Sequence, residues 1–76
     1  MTTILSPEPP KIEDIENYHP NGKLKVKGML VNGKEEGLWT EWYETGQKKS
    51  EGTFKNGKLV GKKEWNEDGS EKEIFE

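Results

Sequence analysis

Apolar residues come in short runs that alternate with lysine, glutamate and glycine. Leu24, Val26 and Leu30 share one parity, while Met29 and Val31 take the other. A second run puts Trp39 and Tyr43 on one parity and Trp42 on its opposite. A spacing of two is the signature of extended strands, whose successive side chains point to opposite faces. Helix is disfavoured throughout the middle of the chain, because there is no alanine and glycine interrupts every stretch long enough to form one. Strands are expected at about 23–31, 38–43, 47–55, 62–66 and 70–75. Tight connections between them make consecutive strands antiparallel, so the expected fold is all-β: a single-layer meander of about five strands.

Glycine supplies the punctuation. Gly22, Gly28, Gly33 and Gly37 return as Gly46, Gly52, Gly57 and Gly61, all displaced by the same interval, and Gly69 follows Gly46 by one position less. Tyr18, Trp42 and Trp65 each stand four positions before one of these glycines. Such a regular shift marks an internal repeat, with units at about 18–41 and 42–64 and a partial one at 65–76. Asn32-Gly33 and Asn56-Gly57 suit two-residue hairpin turns, since both residue types tolerate positive φ. Gly46 and Gly69 suit three-residue loops with glycine left-handed, and Gly22 holds the equivalent place. Gly28 and Gly52 fall inside strands, where a bulge or an overlying aromatic ring from a neighbouring strand is needed.

The four prolines, Pro7, Pro9, Pro10 and Pro20, all precede the first glycine. Residues 1–17 therefore read as an acidic arm. Pro9-Pro10 could start a short helix over 11–17, with Ile12 and Ile15 on a stripe with Tyr18. Disorder is the alternative, favoured for the first ten residues. Charge divides the chain as well: residues 1–21 carry −3, residues 22–61 carry +3 and residues 62–76 carry −3.

The residues that keep the glycine beat carry a resemblance. Tyr18 through Gly22, Gly28 through Lys34, Gly37-Leu38-Trp39, Trp42 through Gly46, Gly52 through Lys58, and Gly61 through Gly69 resemble MORN-type repeats. The variant they resemble most is that of the small bacterial YwqK-family antitoxin proteins. The second unit departs from the pattern, with Lys63 where the first has Trp39 or Thr40, and with one residue fewer before Trp65. The resemblance implies an elongated one-layer antiparallel sheet without catalytic residues. It also implies action by binding proteins, or acidic lipids in some eukaryotic relatives.

Candidate chemistry is sparse. The 76 residues include no cysteine and no arginine, which removes thiolate chemistry and bidentate anion clamps. His19 sits before Pro20 in a turn and is expected to be solvated rather than catalytic. Gly57 through Lys62 has three residues between its glycines where a phosphate loop has four, and Lys63 stands where Ser or Thr belongs. Asn66-Glu67-Asp68-Gly69 lacks the alternation of a calcium loop and reads as a hairpin turn. No enzyme, cofactor or metal is expected. No apolar run approaches the ~20 residues that span a bilayer, so the default expectation is a cytoplasmic protein of a bacterium or a phage-infected cell.

What remains is surface. A single layer cannot hide apolar groups on both faces, so Trp39, Trp42, Tyr43, Phe54 and Trp65, with Lys25, Lys27 and Lys48, are the candidate partner-binding residues. The leading expectation is a non-catalytic module that inhibits or scaffolds a protein partner: a toxin, an enzyme or a host target. Stacking of nucleic-acid bases between lysines is one alternative, disfavoured by the net charge of −3. Binding to anionic lipid is another, disfavoured by the lack of a basic amphipathic helix. Homo-oligomers through edge strands are compatible with all of these.

Overall fold

The structure, a computed structural model, describes residues 8–72. It is an open antiparallel sheet with no helix among those residues. Its strands are β1 (Ile12–Tyr18), β2 (Leu24–Val31), β3 (Lys34–Glu35), β4 (Gly37–Trp42), β5 (Lys48–Lys55) and β6 (Lys58–Glu64). They lie in the order β1-β2-β4-β5-β6, with the two-residue β3 also paired to β2. The Cα trace is 10 Å thick in its shortest dimension, which leaves no room for a second sheet.

Turn chemistry sets this topology. Asn32-Gly33 and Asn56-Gly57 close two-residue hairpins, each residue with φ between 52° and 84°. The other three loops share one pattern. His19, Tyr43 and Asn66 each donate their amide to the carbonyl four positions ahead (Lys23, Gln47, Ser70), and each accepts from its loop glycine (Gly22, Gly46, Gly69). Those glycines have φ of 88°, 96° and 92°. The third repeat is thus begun faithfully: Trp65 bridges Glu71 as Trp42 pairs Lys48 and Tyr18 pairs Leu24. Of the strand expected at 70–75, residues 73–75 lie outside the described region, as do residues 1–7 of the expected arm.

The expected helix over 11–17 is instead strand β1. Its seven residues are too few for a stable isolated helix, whereas the open side of β2 offers seven register pairs from Ile12↔Val31 to Tyr18↔Leu24. The repeat already required this strand, because Tyr18 precedes Trp42 by one full unit, and Trp42 ends β4. The described part of the arm therefore lengthens the sheet at residues 12–17.

The shortened second repeat is also located. Between Leu30↔Glu35 and Lys27↔Thr40 the β3–β4 side carries two residues more than β2. At the matching point of β6, between Phe54↔Leu59 and Thr53↔Gly61, it carries one more. That single residue is the difference between the full repeat and the shortened one. Gly37 consequently needs φ of 77°, while its repeat partner Gly61 does not have positive φ. Neither would meet anything within 4 Å through an added Cβ. Gly37→Ala is expected to lower stability by about 1–2 kcal/mol and Gly61→Ala to change it by less than about 1 kcal/mol, read from urea midpoints.

No hydrophobic side chain is buried among the described residues; Thr40, at 7% exposure, is the one buried residue. The sheet has backbone ladders and half-covered cross-strand pairs but no interior.

Candidate functional site

Register assigns the faces. Trp39 is paired with Gly52, Glu41 with Val26 and Ser50, and Phe54 with Leu59. These residues share one side of the sheet, the Trp39 face, with Ile15 and Leu30. Thr40, Lys27, Glu51 and Lys63 take the other side, the Trp42 face. A bulge at the start of β2 moves Leu24 to the Trp42 face, where it lines a shallow depression with Trp42. The expected grouping of Leu24 with Val26 and Leu30 fails there, because one extra residue reverses a period-two reading.

The Trp39 face holds a groove of about 200 Å³ lined by Val26, Glu35, Trp39, Glu41, Gly52, Phe54, Leu59 and Lys62. Its floor follows from the strand glycines. A Cβ on Gly28 would lie 2.1 Å from Trp39 Cδ2, so the indole rests directly on bare backbone. Phe54 meets that indole edge-on, with centroids 6.3 Å apart and planes at 72°. Gly52 is covered by Leu59 and Phe54 rather than by an indole, since Lys62 stands opposite it in β6. The Trp39 indole N–H is buried and finds no acceptor among the described residues.

The aromatic candidates do not form one cluster. Tyr43 closes the loop end of the Trp39 face, where its hydroxyl donates to the Trp65 carbonyl at 2.9 Å and the Lys49 ammonium lies 5.8 Å from its ring. One repeat earlier, His19 uses Nε2 to donate to the Trp42 carbonyl at 2.8 Å. The same sideways bond thus ties successive loops. His19 is a half-covered strut here and not the solvated turn side chain expected from sequence. Trp42 and Trp65 lie on the opposite face, on which Lys48 sits 5.5 Å from the Trp65 ring and 2.6 Å from Glu51. Lys27 on that face pairs with Glu16 at 4.0 Å, and Lys25 lines a second hollow with His19, Glu41 and Tyr43. Val26, Leu59, Glu35, Glu41 and Lys62 complete the groove, and the sequence reading did not single them out. Their register, needed to group them, depends on the bulges.

Asp68 shows how the third loop is held. Hydrogen bonds from the Ser70 hydroxyl at 2.6 Å and the Ser70 amide at 2.8 Å lower its pKa below the usual carboxylate value. The ionised form is favoured in the fold, so its contribution is present above that usual value and is lost as pH falls through the lowered one.

The glycine spacing, the repeated loop bonds and the indole on Gly28 describe one repeating hairpin unit. The MORN repeat variant family matches it at residues 15–32 and 35–56, more than half of the chain. The chain belongs to that family. No curated protein and no solved structure matches it. The MORN match begins at residue 15, inside β1, in agreement with the strand found where an arm was expected. MORN repeats are generally non-catalytic binding modules. Among the described residues no group of three or more His, Asp or Glu is placed to hold a metal ion, and no helix is long and apolar enough to cross a membrane.

Proposed function

We propose that this MORN-repeat chain is a non-catalytic module that docks a protein partner on its Trp39 face and inhibits or scaffolds it, as an antitoxin or a phage-encoded inhibitor would. The observation that carries this reading is the open groove over Trp39 and Phe54 in a chain that buries no hydrophobic residue among those described. Covering such a face removes apolar area from water, and no described segment of this chain does so. Glu35 and Glu41 stand at the groove, and the Lys62 ammonium is held by Glu64 at 3.1 Å. The surface therefore suits an apolar or aromatic anchor flanked by basic groups. Base stacking and acidic lipid are weaker readings, because Lys48, the lysine beside the Trp65 ring, is held by Glu51 at 2.6 Å and the chain carries a net charge of −3.

Leu59, half exposed at 50%, and Leu38, at 56% on the opposite face, permit a matched test. Affinity capture from the source cell should recover a stoichiometric protein with the natural chain and with Leu38→Asp, and lose it with Leu59→Asp. Recovery that is indifferent to Leu59→Asp, or no partner with any variant, contradicts the proposal.

A further inference from the structure

We infer that copies of this chain join head to tail, the outer edge of β1 in one copy pairing with the outer edge of β6 in the next. This inference concerns the edges of the sheet and is independent of the groove. Among the described residues β1 is bonded only to β2, and β6 along Lys58–Lys63 only to β5, so each presents there a row of backbone donors and acceptors without a described partner. At its far end β6 is covered by the Trp65–Glu71 bridge and the bond from the Lys72 amide to the Glu64 carbonyl. Its open stretch among the described residues is therefore Lys58 to Lys63.

Charge selects the pairing. β1 carries Glu13, Asp14 and Glu16 and no lysine, whereas β6 carries Lys58, Lys62 and Lys63 against Glu64 alone. Two β1 edges placed together would oppose acid to acid, and two β6 edges would oppose lysine to lysine. Both symmetric dimers are penalised, because cross-strand neighbours lie within about one Debye length in ordinary salt. The mixed pairing matches opposite charges. One register row shows the design across the whole sheet. Glu16, Lys27, Thr40, Glu51 and Lys63 stand directly opposite one another from edge to edge on the Trp42 face. The row starts with an acid and ends with a base, so a following copy continues its alternation. Of these edge charges Lys62 is held by Glu64 at 3.1 Å, whereas Lys11–Glu13, Glu16–Lys27 and Lys63–Glu71 are 3.7–4.0 Å apart and exposed, too loose to cancel theirs. Among the described residues no ion pair holds Asp14 or Lys58. A contact between two different edges is not closed by a two-fold axis, so the product is an open row of sheets rather than a dimer.

Sedimentation velocity on the full chain tests this. The weight-average mass should rise past two copies with protein concentration at about 20 mM salt and return to one copy, 8.7 kDa, at about 0.5 M. Reversing β1 (Glu13→Lys, Asp14→Lys, Glu16→Lys) should abolish the larger species, and so should reversing β6 (Lys58→Glu, Lys62→Glu, Lys63→Glu). Mixing the two variants should restore them, which a folding defect could not do; circular dichroism confirms that each variant keeps its sheet. A single copy at every concentration, a two-copy species unmoved by either reversal, or mixing without rescue overturns the inference.

Discussion

Trp39→Ala is expected to unfold the sheet, or to leave it so marginal that circular dichroism at room temperature shows a mixed population. The indole lies on Gly28, touches Phe54 edge-on and stands opposite Gly52 in the ladder, so three strands lose contact at once. Truncation of a large aromatic to alanine costs about 3–5 kcal/mol when it is fully buried. Trp39 is half covered, so about 2–4 kcal/mol is the reasonable range. Small domains have about 0.05–0.15 kcal/mol of stability per residue, or roughly 4–11 kcal/mol at this length. A sheet without a buried apolar residue belongs at the low end, where the loss is comparable to the whole. Trp39→Phe, which keeps a ring on the glycine, should fall between. A Trp39→Ala protein with an unchanged urea midpoint would show that the ring is ornament.

Gly28→Ala should be nearly as damaging, for a reason that Gly52→Ala does not share. At Gly28 the new methyl would sit 2.1–2.4 Å from three carbons of the Trp39 ring, which must leave its place. At Gly52 the nearest atoms are Leu59 Cδ1 at 3.0 Å and Phe54 Cε1 at 3.3 Å, the far ends of side chains with room to swing. Expected losses are about 2–3 kcal/mol for Gly28→Ala and below about 1 kcal/mol for Gly52→Ala. The sharper readout is the double mutant. If the clash with the ring is the whole effect, Gly28→Ala should cost almost nothing in a Trp39→Ala background that is studied under stabilising conditions. Additive losses would place the cause elsewhere.

Much of the fold was legible because glycine and asparagine act locally. Asn32-Gly33, Asn56-Gly57 and the three spaced loop glycines fix where the chain reverses, and with it the antiparallel order. β1 was harder to see, since residues 12–17 hold no glycine and their acids and isoleucines fit a helical stripe as well as a strand. What decides is the open side of β2, which is a tertiary offer and not a local preference. The site was legible in its parts but not in its assembly. Parity correctly separated Trp39 and Tyr43 from Trp42. Grouping Val26 with Leu59 across the sheet needed the two extra residues on the β3–β4 side and the bulge of β6, and such short insertions carry no composition signal. That a ring would cover a strand glycine was readable; that it is Trp39 on Gly28, with Leu59 and Phe54 serving Gly52, follows from the register alone.

The faces matter more than any single residue here. A sheet one layer thick leaves Trp39, Phe54 and Leu59 accessible on one side, and Leu38 with the Trp42 column on the other. Docking on such a face and growth at such an edge are the two ways an uncovered sheet reduces its exposed apolar and backbone groups.

Small-angle X-ray scattering of the dilute chain in high salt measures this directly. A single open layer gives a radius of gyration near 16.8 Å, whereas a compact globule of this length would give about 11 Å and an unfolded chain about 27 Å. A radius at the open-layer value, with a flat-particle scattering profile, agrees with the uncovered sheet. A radius at the globular value would mean that the rings are enclosed after all.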